Sequence, residues 1–468
     1  MSGGSGAQAA DPAGAVAIGS RRELFVDGLL IDKLSGGATL RLARPNDEGV
    51  AIPFDRPWEG AFCAYVTVLK DGEIYRAYYR GSPLARADGS PTESTCYAES
   101  KDGIRWTKPN LSLFEMEGNR DNNVILAGLP PFSHNFSPFV DTRPGVEADE
   151  RYKALAGSRT TGLVAFVSAD GVRWRKLREQ PVITGGAFDS QNVAFWSESE
   201  QCYVSFFRTF KDNIRRISRT TSAEFLTWTE PVLMEYGDRP IEHLYTNQTH
   251  PYFRAPQVYV SVAARFLPGR RVIRAEQAKA INVDPGYFGD CSDGIFMSSR
   301  GGNRYDRMFM DGFIRPGVGL ENWVSRTNYP ALGIVPTGNA EMSVYANQNY
   351  GQPTAHLRRY SLRSDGFVAV NAPYDGGEFL TKPLTFSGKH LTLNFATSAA
   401  GSIRVEIQDA AGRPLAGFAL ADSVETIGNE LDRPVFWNAG SDVSKLAGQP
   451  VRLRLVLKDA DVYSLRFV

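Results

Sequence analysis

Four acids stand at the thresholds of strand-like runs: Glu59 in Trp58-Glu-Gly-Ala-Phe62, Asp189 in Phe188-Asp-Ser-Gln-Asn-Val193, Glu242 in Ile241-Glu-His-Leu-Tyr245, and Glu341 in Gly338-Asn-Ala-Glu-Met342. Carboxyl groups brought together from separate strands can divide a proton-transfer reaction between them, one donating while another accepts or attacks. Beside these acids lie side chains suited to hydroxylated ligands: Trp58, Gln191, Asn192, His243, Tyr245, Asn247 and His250. A second group, His134, Asn135, Asp141 and Arg143, brackets the run 137–141. Arg143 suits a carboxylate or sulfate, or a plain salt bridge to Asp141 or Glu147. Each acid also has a structural reading, Asp189 as a turn residue and Glu242 as one of several surface acids with Glu235 and Asp238.

Metal chemistry finds little support. The five histidines have no ligand spacing, and Cys63, Cys96, Cys202 and Cys291 are isolated from one another. The cysteines read as small buried hydrophobes rather than a disulfide framework. No cofactor and no metal site are expected, although a structural Ca²⁺ in a central channel is left open. Lys+Arg and Asp+Glu are equal at 52 each, which argues against a phosphate-tracking surface and hence against nucleic acid. No apolar run is long enough to span a bilayer, so no membrane partner is expected. The oligomeric state is open.

The elements that must position these groups come from an internal repeat. Ser100-Lys-Asp-Gly-Ile-Arg-Trp106 returns as Ser168-Ala-Asp-Gly-Val-Arg-Trp174 and, more weakly, as Ser222-Ala-Glu-Phe-Leu-Thr-Trp228. Partial copies follow at Ser299–Arg307 and Ser364–Phe367. Asp-Gly marks a tight turn, and the aromatic after it can pack onto the preceding strand. Short runs rich in β-branched and aromatic residues precede each copy. The period is roughly 55–75 residues, longer than common propeller repeats. The expectation is an all-β protein: a five-bladed β-propeller over 21–375, followed by a C-terminal β-sandwich over 376–468. The run 23–34 is expected to close the ring, and 274–280 reads as a short helical turn. Residues 1–20, mostly Gly, Ala and Ser, read as a disordered leader without the charged start and apolar centre of a signal peptide.

This arrangement resembles the glycoside hydrolases of families 32, 43 and 68, and most closely bacterial family-32-like proteins. The resemblance rests on Leu24-Phe-Val-Asp27, Trp58-Glu-Gly60, Tyr97-Ala-Glu-Ser-Lys-Asp-Gly103 and Leu457-Lys-Asp-Ala-Asp461. It implies three channel carboxylates: a nucleophile or base, a transition-state stabiliser and a general acid. Carried over by position, it makes Glu59 or Asp189 the nucleophile or base, and Glu242 or Glu341 the acid. The family's Asp-Pro-Asn, Arg-Asp-Pro and Glu-Cys motifs are all altered here. The implied function is hydrolysis of a glycosidic bond, with a furanoside the candidate the resemblance offers, in an oligo- or polysaccharide by a secreted or periplasmic enzyme. Two alternatives stay open. One is a non-catalytic carbohydrate-binding propeller. The other is a glycoside phosphorylase, for which Arg208, Lys211, Arg215 and Arg216 could supply a phosphate cluster, although they read as an outer strand and its turn. A sialidase is disfavoured, since the repeat is shorter than an Asp box and no arginine triad with a Tyr–Glu pair is visible.

Overall fold

Alternating small, β-branched and aromatic residues pair antiparallel into five separate sheets. The computed structural model describes residues 14–468. The first sheet contains Ala64–Asp71, Ile74–Gly81, Ser94–Ser100 and Val124–Ala127. The second runs Ser137–Val140, Tyr152–Ser158, Gly162–Ser168 and Arg175–Lys176, and the third Val193–Ser197, Cys202–Lys211, Ile214–Ser222 and Val232–Leu233. His250–Tyr252, Ala255–Leu267, Cys291–Ser299 and Gly312–Ile314 make the fourth. These sheets are the blades of a five-bladed β-propeller, and the first strand of each lies against its neighbours around the axis.

The fifth blade departs from the sequence expectation in two ways. Its inner strand is the broken pair Tyr329–Pro330 and Val335–Pro336, and Glu341–Gln348 is the second strand. Leu332 between the two halves exchanges backbone hydrogen bonds with Val66 and Val68 of the first inner strand. The ring is closed by Asn46–Pro53, which pairs with His356–Arg363. The run 23–34, expected to do so, instead pairs within a separate sheet.

The repeated turn has a clear physical basis. Ser100 Oγ donates to Asp102 Oδ1 and accepts from the Gly103 amide, while Asp102 Oδ1 accepts from the amides of Ile104 and Arg105 at 2.8 Å each. Ser168 and Asp170 repeat the pattern. The tryptophans that follow pack into the propeller: Trp106 against Tyr345 of the fifth blade, Trp174 against Phe136, and Trp228 against Phe225.

The chain divides into 44–362, the propeller, and a second unit formed by the described residues before 44 together with 363–468. That unit is a ten-stranded sheet. Its spine is Val451–Phe467, which pairs with Leu391–Asp409, Gly377–Thr381 and Val368–Ala372. Of the expected leader, 1–13 lie outside the described residues, whereas Val16–Gly19 is a strand pairing with Leu384–Phe386. Trp437 is buried in this unit's core, its indole N–H donating to the Val405 carbonyl at 2.9 Å. A sugar could not stack on it there. The expected short helical turn is the helix Ala275–Ala280.

Candidate active site at the channel mouth

The inner strands all start at one end of the propeller, so the residues just before them gather at one mouth. Below that mouth the axis is plugged. Gln191 Nε2 donates to Thr67 Oγ1 at 2.8 Å, and its Oε1 accepts from Gln248 Nε2 at 2.6 Å. Gln248 donates also to the Pro330 carbonyl at 2.7 Å, so two amides tie four blades together. At the far end of the channel lies an apolar cavity of about 540 Å³, lined by Val68, Phe139, Phe195, Leu332, Val335 and His250 among others.

Around the mouth aromatic and cationic side chains lie against one another. The Tyr65 ring meets His134 at 5.5 Å and the Arg80 guanidinium at 4.8 Å. Its hydroxyl donates to the Asp189 carbonyl at 3.2 Å. Arg208 bonds the Asp189 carboxylate and lies 4.6 Å from the Tyr245 ring centre. Tyr245 packs on Tyr329 at 5.0 Å. Arg326 donates to the Tyr350 hydroxyl at 3.3 Å, and Arg80 donates to the same oxygen at 3.1 Å. Tyr65 and Arg326 both hold positive φ, 55° and 58°. Bulky residues rarely adopt that conformation unless their surroundings enforce it, and such strain concentrates at functional positions.

Three carboxyl environments share this mouth. Asp189 is 63% exposed, the most open of them, and ion-paired to Arg208. Asp88 lies 3.6 Å from Arg80 and 3.7 Å from Arg326. Burial opposes its ionisation, but Arg80, His134 and Arg326 outweigh burial and hold the carboxyl below its ordinary value. Asp290 behaves oppositely: burial pushes its pKa up, with Ser325, Arg326 and Arg215 only partly offsetting it. Its Oδ1 is buried without a hydrogen-bond partner. Asp290 went unnoticed in the sequence because it lies between the second and third strands of its blade, not at a strand threshold.

His134 sits in the same mouth, buried, its Nδ1 2.9 Å from Glu93 Oε1 and 3.2 Å from Arg80 Nη1. Burial first, and then Arg80, lower its pKa, with Glu93 and Asp88 only partly offsetting them. Among the described residues Asp88, Glu93 and His134 bring ligand atoms within 4.8 Å of one another. Arg80, 3.6 Å from both carboxylates, already supplies the positive charge a metal would bring, so these residues do not fit a Ca²⁺ site.

The other expected site residues are distributed elsewhere. Glu59 is fully buried, and its carboxylate accepts from Tyr79 at 2.6 Å, Lys108 at 2.7 Å and the Arg56 amide at 3.0 Å. Trp58 is buried too, bonded to Asn123 at 2.8 Å, and offers no stacking face. Glu341 lies at the opposite end of the channel: Tyr329 at the mouth faces Asn347, whereas Pro336 faces Met342. There Arg359 and Thr337 hold its carboxylate at 2.9 and 2.8 Å. Glu242 is held by Arg307 and Arg265.

Asp141 is buried with Lys153 and Tyr203, and Arg143 lies over the Tyr203 ring. Asn135 and Asn192 are buried and bond backbone carbonyls, including those of Phe188 and Ser190. Asn247 caps the Thr249 amide at 3.0 Å. His243 accepts from the Arg215 amide at 3.3 Å. His250 lines the far cavity. Of the expected set, the structure therefore gathers Asp189, His134 and Tyr245 in the mouth, with Gln191 plugging the axis beneath them.

Arg208 and Arg215 correct a further expectation. The hairpin Cys202–Lys211 and Ile214–Ser222 continues past Val193, where the inner strand begins opposite Phe206. Its tip overhangs the mouth and carries both arginines there, not to the outer edge of the blade.

No family model matches the chain, and no curated protein matches it either. Solved structures do resemble it. One described as a glycoside hydrolase aligns at 9% identity and TM-score 0.46, covering 68% of this chain and 92% of its own. An N-acetylgalactosamine deacetylase from F. plautii, in complex with blood group B trisaccharide, aligns at 14% identity and TM-score 0.44, with coverages of 69% and 95%. A third, from the GH130 family of mannoside phosphorylases containing glycoside hydrolases that target beta-1,2 mannosidic linkages in Candida mannan, aligns at 15% identity and TM-score 0.39, with coverages of 72% and 95%. Likenesses this distant decide nothing about chemistry, which the mouth's own residues must carry.

Proposed function

We propose that the propeller cleaves a glycosidic bond at this mouth, with Asp290 as proton donor and Asp189 as the ionised partner that attacks or activates water. The observation that carries the reading is the opposite tuning of carboxyls in one mouth: Asp290 pushed toward its neutral form while Asp88, near the same Arg326, is held ionised. Environments that force carboxyls apart in this way assign acid and base. Asp88 sits between Arg80 and Arg326, whereas Asp189 is held by the single guanidinium of Arg208 through Oδ1 and, being exposed, can present its other oxygen to a substrate. Tyr65, Tyr245 and Tyr329 supply ring surface for a sugar. The ten-stranded unit is read as the β-sandwich that the sequence suggests, and the substrate as an oligo- or polysaccharide.

The test is release of reducing ends from a glycan panel by wild type, Asp290→Asn and Asp189→Asn. Each variant should lose about 100-fold or more, the scale of a missing acid or base. Cleavage that survives both substitutions would sink the assignment. Glycan binding without cleavage by wild type would favour a binding propeller. One observation favours a second reading, phosphorolysis: Arg208 and Arg215 overhang the mouth where a phosphate could meet the sugar. Turnover that requires added phosphate and yields a sugar 1-phosphate would select it.

A further inference from the structure

The arginines of this mouth outnumber the carboxylates that serve them. Arg80 is accounted for by Glu93 and Asp88, both at 3.6 Å. Arg208 is 3% exposed and holds Asp189 through Nη2, while its Nε and Nη1 are buried with no acceptor. Arg215 has no carboxylate within ion-pair range among the described residues. Its Nη1 shares only His243 Nδ1 at 3.4 Å, and its Nε is buried without an acceptor. Arg326 divides itself between the Tyr350 hydroxyl and Asp88. Asp290, which could have balanced Arg215 and Arg326, is tuned toward its uncharged form.

A guanidinium removed from water with unused donors is costly, and buried charges are ordinarily paired. Here the unused donors converge. Arg208 and Arg215 lie 4.6 and 5.2 Å from the centre of the Tyr245 ring, and Arg326 acts on the same tyrosine. Together the three draw the Tyr245 hydroxyl below its ordinary value even though burial opposes that shift. The basin is therefore electropositive at the position where a ligand would replace water. Planar guanidinium forks match the oxygens of a carboxylate or sulfate and bind them in pairs.

We propose that the sugar received by this mouth is anionic, carrying a carboxylate or a sulfate ester that Arg208, Arg215 and Arg326 grip beside Tyr245. That it is a sugar rests on the glycosidase reading, while the anion rests on the arginines alone. A neutral hydroxyl in the same place would leave those donors poorly used, so discrimination should be large.

The experiment is calorimetric titration of the whole protein with five probes: trigalacturonic acid, its carboxyl-reduced neutral counterpart, a sulfated galactan oligosaccharide, its desulfated counterpart, and inorganic phosphate. One acidic sugar should bind at least about tenfold more tightly than its neutral counterpart, with affinity falling as salt rises. Arg215→Met should abolish that preference. Arg215→Lys, which keeps the charge without the fork, should retain part of it and guards against a folding artefact. Arg239→Gln, on an exposed side chain bonded only to the Met308 carbonyl, should leave it intact.

Equal binding of acidic and neutral sugars, no binding of any acidic sugar, or a preference that persists in Arg215→Met overturns the proposal. So does binding of phosphate alone, which would make the anion a co-substrate. Failure of the glycosidase reading looks different: the acidic sugar binds through Arg215, yet no glycan is cut. Conversely, cleavage confined to neutral glycans and dependent on Asp290 would keep that reading and remove this one.

Discussion

Acidification should unlatch the far end of the channel through His250. Its Nδ1 lies 3.0 Å from the Gln248 carbonyl and its Nε2 accepts from the Ile334 amide at 3.1 Å. These two bonds fix the neutral tautomer, with the proton on Nδ1. Burial lowers the pKa from 6.5 to about 4 against the opposing Gln248 bond, and a second proton on Nε2 would in addition face the Ile334 N–H and break that link. The folded state therefore binds fewer protons than the unfolded chain between those two values. The stabilisation is complete above pH 6.5 and is lost as pH falls toward 4. At about 1.4 kcal/mol per pH unit, the full loss is about 3 kcal/mol.

The assay is urea unfolding of wild type and His250→Gln at pH 7 and pH 4.5. The variant should be less stable at pH 7, and the gap should shrink by about 2 to 3 kcal/mol at pH 4.5, because glutamine does not titrate. Following the imidazole directly by NMR should give a midpoint near 4. A gap that is the same at both pH values, or a midpoint near 6.5, would refute the reasoning about the Ile334 bond.

Other consequences are equally direct. Because Asp290 must be protonated to act as the acid, and its pKa is raised, the alkaline limb of kcat/KM should report it and should disappear in the residual activity of Asp290→Asn. Glu341→Gln, at the opposite end of the channel from the mouth, should keep kcat within about twofold, and a loss of 100-fold would return Glu341 to the site. Lys108→Met strands the buried Glu59 carboxylate and should cost about 3–5 kcal/mol in denaturant unfolding, whereas Glu59→Gln should leave glycan cleavage in place. Asp102→Ala removes an acceptor serving two turn amides and should cost about 1 kcal/mol, read as a shift in the unfolding midpoint.

What the sequence disclosed follows the strength of its local signals. Ser-x-Asp-Gly-x-x-Trp is written in full twice, and its turn, hydrogen bonds and packed tryptophan are where the pattern places them. The fifth inner strand was misread because its two halves are two residues each and both contain proline, so the longer run at Glu341 looked like the inner strand. The closing strand carries Asn46-Asp-Glu-Gly49, which reads as a loop. It is a strand because Arg358 binds Asp47 and Ser361 binds Glu48 across the pair. Threshold position located Asp189 but also drew attention to Glu59, whose burial with Lys108 is not visible without the fold. Arg215 depends on how far its hairpin projects, Asp290 on the long connection between Leu267 and Cys291, and Arg326 on an inner strand of only two residues, and no local pattern encodes any of these.

The closing strand has one more consequence. Arg358 and Asp47, which face each other in the finished fifth blade, are 311 positions apart. During synthesis Asn46–Pro53 emerges early and must stay unpaired until nearly the whole propeller has been made. Meanwhile four blades can form from neighbouring residues, and the ring remains a horseshoe with an exposed strand edge at its gap. Such an edge invites pairing with another chain, and contacts this distant in sequence form slowly. Newborn molecules should thus be most prone to tangle with one another late in translation, and a copy clipped ahead of His356 should survive as an open, sticky arc, not a smaller ring.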